Sequence, residues 1–62
     1  MIYEKIKKLC DEKQITIMEL EKTAGIANGT IGKWRNAKPL AETLLKVATA
    51  LGTTVDELMK SI

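Results

Sequence analysis

The chain has 62 residues, of which 45% are hydrophobic and 29% charged, so it can form one domain with one small core. It contains no His and a single Cys, which excludes an internal disulfide and leaves no ligand set for zinc. No apolar run approaches the roughly 18 residues of a membrane span. We therefore expect a single domain, residues 1–62, that is cytoplasmic and has no membrane contact, no cofactor and no small-molecule ligand.

The first predicted helix covers residues 2–13. Apolar residues recur there at the spacing of one face of an amphipathic helix: Ile2, Ile6, Leu9 and Cys10. Cys10 thus falls on the inward stripe, where it is best interpreted as a small buried hydrophobe. Only Gln14 and Ile15 separate this helix from the next capping residue, which makes the first two helices direct neighbours.

Residues 17–36 contain the strongest local pattern, in which two short helical patterns meet at one glycine. Thr16 with Glu19 three residues later forms a capping box, which marks the start of a helix. Gly25 ends that helix, because glycine accepts the positive φ needed at a helix C-terminus. The pattern predicts a second helix over residues 17–24, followed by a tight turn.

The third predicted helix covers residues 28–35, with Ile31 and Trp34 facing inward. Its outward face would be formed by Asn28, Gly29, Gly32 and Lys33. Two glycines on a solvent-exposed helix face cost roughly 1 kcal/mol each relative to alanine, and core packing does not explain them. They indicate either a partner that approaches the backbone closely or a tolerated loss of stability.

The last two predicted helices cover residues 41–51 and 55–60. The fourth has the most continuous apolar stripe of the chain: Leu40, Leu44, Val47, Ala48 and Leu51. Gly52 follows it as a C-cap glycine. Thr54 with Glu57 repeats the capping-box pattern and predicts the start of the fifth helix. No alternation typical of a strand persists beyond a few residues.

The formal net charge of +2 is unevenly distributed along the chain. Residues 28–38 contain Lys33, Arg35 and Lys38 and no acid, which gives +3, whereas the remaining seven basic and eight acidic residues sum to −1. A basic cluster on one helix and the loop after it is typical of a nucleic-acid surface. A solvated helix face of this size is also common, so the charge alone leaves both interpretations open.

Five predicted helices with a helix-turn-helix at the second and third resemble the Cro and phage-repressor (XRE-type) family of DNA-binding domains. The segments NGTIGKWRNAKP and ETLLKVATALGTTVDEL carry the resemblance, which spans nearly the whole chain. It implies an all-α, five-helix, lambda-repressor-like fold with the helix-turn-helix at helices 2 and 3. It also implies a phage or bacterial transcriptional regulator, a repressor, that binds double-stranded DNA sequence-specifically.

The resemblance further implies that the third helix enters the major groove while the second lies across the phosphate backbone. Carried over position by position, the implied base-reading residues are Asn28, Gly29, Thr30 and Lys33. The implied phosphate contacts are the backbone N–H groups of Ile17 and Met18 and the side chains of Arg35, Asn36 and Lys38. Gly29 has no side chain to contact a base, so DNA shape would supply part of the specificity.

Three positions depart from the family pattern. Glu21 stands where a small residue, usually Ala, is common on the inner side of the second helix, so it must reach solvent or find a partner. Ile17 replaces a polar side chain, so only its backbone amide carries over. Ala27 stands where a Ser N-cap is usual; if Asn28 caps the helix instead, it is less free to contact a base.

A dimer is expected as well, through side chains that a monomer would leave partly exposed: Leu45, Met59 and Ile62. Two copies would then bind an inverted repeat with half-site centres about one helical turn apart. The alternative function is a protein-binding module, such as an antitoxin or adaptor, that keeps the fold but uses the face of the third helix on a protein. Such a complex, held by apolar contacts, would lose little affinity with salt. An enzyme is the least expected class, because the chain lacks His and its only Cys lies on the core stripe.

Overall fold

The computed structural model describes residues 2–60, which contain four α-helices and one 3₁₀ helix. In chain order they are α1 (Ile2–Lys13), α2 (Ile17–Ala24), the 3₁₀ helix (Ile31–Arg35), α3 (Ala41–Leu51) and α4 (Val55–Met59). This part of the chain contains no strand, and none of its helices is both long and apolar enough to cross a membrane. The predicted all-α fold is confirmed, but the count of five α-helices is not.

Side chains from all five helices meet in one core. Its largest fully buried side chains are Ile6, Cys10, Leu20, Ile31, Val47 and Leu58. The helix α2 packs against α3, while the 3₁₀ helix and α4 both pack against α1. Each fully buried aliphatic side chain contributes about 1.5 to 3 kcal/mol to the free energy of folding, which a domain of this size needs.

The ends of α2 and α3 confirm the boundaries that the sequence predicted. The Glu19 N–H donates to the Thr16 hydroxyl oxygen at 3.0 Å, and the Thr16 N–H donates to the Glu19 carboxylate at 2.9 Å. Gly25 and Gly52 follow the two helices in the left-handed conformation, with φ of 74° and 73°. Local capping chemistry therefore defines the start of α2 and the C-terminal ends of α2 and α3.

The prediction of an α-helix over residues 28–35 is wrong. Residues 28–30 form a turn in which Gly29 has φ of 90°, and only Ile31–Arg35 is helical, in the tighter 3₁₀ form. Two glycines in eight residues weaken helix propensity, and Thr30 gives the 3₁₀ helix no side-chain cap. Gly29 is thus a turn residue that requires positive φ rather than a costly glycine on a helix face.

The fifth predicted helix is present as α4 but ends at Met59, one residue earlier than expected. The Thr54 hydroxyl accepts a hydrogen bond from the Glu57 N–H at 3.1 Å, so the predicted N-cap is present. Leu58 is fully buried and anchors this short helix to the core.

Candidate nucleic-acid interface

A turn follows α2, and residues 28–35 beyond it contact α2 through hydrogen bonds to Glu21. The Gly25 N–H donates to the Glu21 and Lys22 carbonyls, and the Ile26 N–H donates to the Glu21 carbonyl at 3.0 Å. These bonds satisfy the last carbonyls of α2. Ile26 then packs against the core, which directs the following residues away from the helix axis.

The Glu21 side chain connects α2 to residues 28–35 by hydrogen bonds. It is 3% exposed, and its carboxylate accepts the Gly29 N–H at 3.0 Å through Oε1 and the Ile31 N–H at 2.8 Å through Oε2. Glu21 therefore finds a partner rather than reaching solvent. It also satisfies the N–H groups that a cap would satisfy, which leaves Asn28 exposed and not needed for capping.

Thr30 is tied into the same turn. Its hydroxyl donates to the Ala27 carbonyl at 2.7 Å, and its N–H donates to that carbonyl at 3.2 Å. Since the hydroxyl proton is already engaged, the side chain has a methyl group and an oxygen lone pair left for further contacts, but no hydrogen-bond donor.

The exposed surface from residue 28 to residue 38 is polar and basic. Its exposed members include Asn28, Gly29, Gly32, Lys33, Arg35, Asn36 and Lys38. A Cβ built at Gly32 meets no heavy atom within 4 Å, so the backbone there faces open space. The arrangement offers three cations and an accessible stretch of backbone to an anionic partner.

Arg35 is held in place by Tyr3 on α1. Its Nη2 donates to the Tyr3 hydroxyl oxygen at 2.9 Å, and its guanidinium carbon lies 4.5 Å from the centre of the Tyr3 ring. The hydrogen bond to the Tyr3 hydroxyl raises the pKa of Arg35. A cation stacked on an aromatic ring loses little further freedom when it binds phosphate, because its orientation is already set.

The N-terminus of α2 has two N–H groups that its own helix cannot satisfy. The capping box uses the N–H groups of Thr16 and Glu19. The N–H groups of Ile17 and Met18 have no carbonyl four residues earlier within the helix. Met18 is exposed and Ile17 is half-buried, so this end of α2 lies at the protein surface.

Two of the three residues expected at a dimer contact line separate grooves. Leu45 is 58% exposed and lines a groove between α2 and α3. Met59 is 48% exposed and lines a groove of about 610 Å³ bordered by residues 36–39. Ile62 lies outside the described residues. Leu45 and Met59 thus line two grooves that share no lining residue.

Sequence reasoning missed the contact of Tyr3 with Arg35 and the two N–H donors that bind Glu21. The first pair is 32 residues apart and belongs to no local motif, so no sequence signal could have found it. For Glu21 a signal existed, because an acid on the inner face of a helix needs donors and a turn glycine such as Gly29 can supply one.

Buried and clustered reactive groups offer no other site in the described residues. Among residues 2–60, no three His, Cys, Asp or Glu side chains lie close enough together to hold a metal ion. Cys10 is fully buried, and this burial raises the pKa of its thiol. Its environment is therefore that of a packing residue.

A family model described as the Cro/C1-type HTH DNA-binding domain matches residues 5–62. No curated protein and no solved structure matches the chain. The family match covers α2, the turn and the 3₁₀ helix together with the helices that support them. The chain therefore belongs to the Cro/C1-type HTH DNA-binding domain family.

Proposed function

We propose that this protein is a transcriptional repressor that binds a specific double-stranded DNA site by inserting residues 28–35 into the major groove. The observation that carries the proposal is the exposed basic surface of Lys33, Arg35 and Lys38, on and just after the 3₁₀ helix. Three cations without an intervening acid complement the negative charge of a phosphate backbone. Membership of a DNA-binding family agrees with DNA as the partner.

Base recognition in this proposal falls mainly to Asn28 and Lys33. An Asn amide can bind N6 and N7 of adenine, and a Lys ammonium can bind O6 and N7 of guanine. The hydroxyl bond within the turn favours a role for Thr30 through its methyl group, against a thymine methyl. Gly29 has no side chain, and its N–H already donates to Glu21, so in this proposal it contributes only the conformation of the turn.

Phosphate contacts in this proposal come from two groups of donors. One is formed by the side chains of Arg35, Asn36 and Lys38 within the basic surface, and the other by the backbone N–H groups of Ile17 and Met18 at the start of α2. Backbone N–H groups at a helix N-terminus and cationic side chains both bind phosphate oxygens without regard to sequence. They would set the orientation of the protein on the duplex.

We further propose that the protein binds DNA as a dimer, and we test the groove beside Leu45 and the groove beside Met59 separately as its contact surface. Met59→Lys places a charge in one groove, and Leu45→Lys places a charge in the other. If the dimer forms through one groove, only the variant with a charge in that groove should lose the dimer. Sedimentation equilibrium on both variants, with wild type as the control, identifies the surface. A wild type that remains monomeric at high micromolar concentration on its preferred DNA would exclude a dimer.

The experiment that tests the function is selection from random duplex DNA, followed by sequencing of the bound pool at two salt concentrations. We expect an enriched inverted repeat with half-sites about ten base pairs apart, and an affinity that falls steeply with salt. A pool without enrichment at either salt would refute the proposal.

The apolar groove beside Met59 favours a second candidate function, that of a protein-binding module. Its lining includes Ile2, Trp34, Leu44 and Val55, which would suit an apolar side chain of a partner. Binding through this groove would change little with salt, which distinguishes it from phosphate contact.

A further inference from the structure

Glu21 is the only buried charged side chain among residues 2–60. An unpaired carboxylate in a protein core is costly, so such a group persists only where polar donors surround it. Here both carboxylate oxygens accept backbone N–H groups, from Gly29 and Ile31. No buried polar side-chain atom in the described residues is left without a partner.

The two donors belong to a turn that is shaped to bind an anion. Gly29 has positive φ and Thr30 has right-handed helical geometry, and a change of this kind between neighbouring residues points the N–H groups on either side of Thr30, those of Gly29 and Ile31, into one concavity. In this protein the anion in the concavity is the protein's own carboxylate. Ile31 is fully buried, so its N–H needs that acceptor within the protein.

The bound N–H groups lie next to the side chains that face outward. Asn28 directly precedes Gly29, and Lys33 follows Ile31 by two residues. The backbone from which both side chains project is therefore attached to α2 by charge-assisted hydrogen bonds, which are shorter and stronger than neutral ones. Local helix propensity cannot supply this rigidity, because residues 28–35 contain two glycines and no side-chain cap.

We propose that Glu21 is a positioning residue for base recognition, whose carboxylate fixes the backbone that carries Asn28 and Lys33. This inference rests on the proposed function, since it assumes that these side chains contact bases. It assigns Glu21 an effect on specificity without any contact to DNA.

Two substitutions separate the geometry of Glu21 from its charge. Glu21→Gln keeps the size but replaces one acceptor oxygen with an NH₂ group, so one of the two backbone donors loses its acceptor. Glu21→Asp keeps the charge but withdraws the carboxylate by one methylene, so that it cannot bind both donors. A positioning role predicts the same loss in both variants, whereas a purely electrostatic effect on DNA predicts a change in Glu21→Gln alone.

The measurement is the ratio of affinities for the selected DNA site and for random duplex, at a temperature where circular dichroism shows each variant folded. We expect this ratio to fall about tenfold in both variants, comparable to the loss of one base contact. Affinity for random duplex should stay within about twofold, because the phosphate-binding cations are unchanged. Amide hydrogen exchange of Gly29 and Ile31 should accelerate in the same variants.

Val47→Ala serves as the matched control, because Val47 is fully buried and the substitution lowers stability at a site on α3, which carries neither Glu21 nor residues 28–35. Its affinity ratio should equal that of wild type. If the Glu21 variants keep the wild-type ratio, or if Val47→Ala lowers it equally, the positioning role is refuted while the proposed function stands. If wild type itself prefers no site, both the proposed function and this inference fail.

Discussion

Gly32→Ala tests whether the exposed backbone of the 3₁₀ helix approaches DNA. Gly32 lies outside the left-handed region, and a Cβ at this position has no heavy atom within 4 Å. The free protein should therefore accept the methyl group without strain. Any cost of the substitution should appear only in the complex.

The expected effect on stability has the opposite sign to the effect on binding. Alanine restricts the unfolded chain more than glycine does, so the free energy of unfolding should rise by about 0.4 to 1 kcal/mol. For a domain of this size, that corresponds to roughly 2 to 8 °C in Tm. If the backbone lies against the groove, the methyl group should weaken binding by about 1 to 3 kcal/mol, the usual cost of overpacking.

Gly52→Ala is the matched control for this substitution. Gly52 ends α3 with φ of 73°, so alanine there is strained and should lower stability by about 1 to 2 kcal/mol. Because Gly52 lies outside residues 28–38, DNA affinity of the folded variant should not change. Thermal unfolding and fluorescence anisotropy with labelled duplex measure both quantities in both variants.

Unchanged DNA affinity in Gly32→Ala would refute the idea that the backbone at Gly32 lies close to DNA. A fall in Tm of the same variant would refute the premise that the free protein has room for the methyl group.

Substitutions at four further positions test the surface and the core. Lys33→Ala should weaken binding to the preferred site by about 1 to 3 kcal/mol and reduce the preference among sites, whereas Lys38→Ala should weaken all sites equally and make the salt slope shallower by about one unit. Equal losses on specific and random duplex for Lys33→Ala, or an unchanged slope for Lys38→Ala, would remove these roles. Tyr3→Phe keeps the ring under Arg35 but removes its hydroxyl acceptor, so random-duplex affinity should fall about twofold, and further in Tyr3→Leu, which also removes the cation–π contact. Identical affinities in both Tyr3 variants and wild type would show that the contact does not matter for binding. Leu58→Ala should cost about 2 to 5 kcal/mol in urea unfolding, because the side chain is fully buried, and a cost below about 1 kcal/mol would contradict its place in the core.

The helix ends that the sequence predicted well are those determined by neighbouring residues. The capping box of Thr16 and Glu19 and the glycine at position 25 act within one turn of the helix they limit, so their pattern is readable in sequence. The apolar stripes of α1 and α3 were equally readable, because burial follows the period of the helix.

The 28–35 segment could not be predicted in this way, because a distant side chain determines its conformation. Periodicity of Ile31 and Trp34 favoured an α-helix, but it does not distinguish a full helix from a turn followed by a 3₁₀ helix. The carboxylate of Glu21 stabilises the turn from eight and ten residues away. Sequence identified Glu21 as unusual, and only the structure supplied its donors.

One side chain on α1 and one on the 3₁₀ helix can each report on the opening of the core. Cys10 on α1 and Trp34 on the 3₁₀ helix are each the only residue of their type in the chain, and both are buried. Thiol alkylation of Cys10 requires opening of the core, whereas Trp34 fluorescence responds as soon as the 3₁₀ helix detaches. Comparing the two signals in one sample would show whether the 28–35 segment opens on its own or only when the whole domain unfolds.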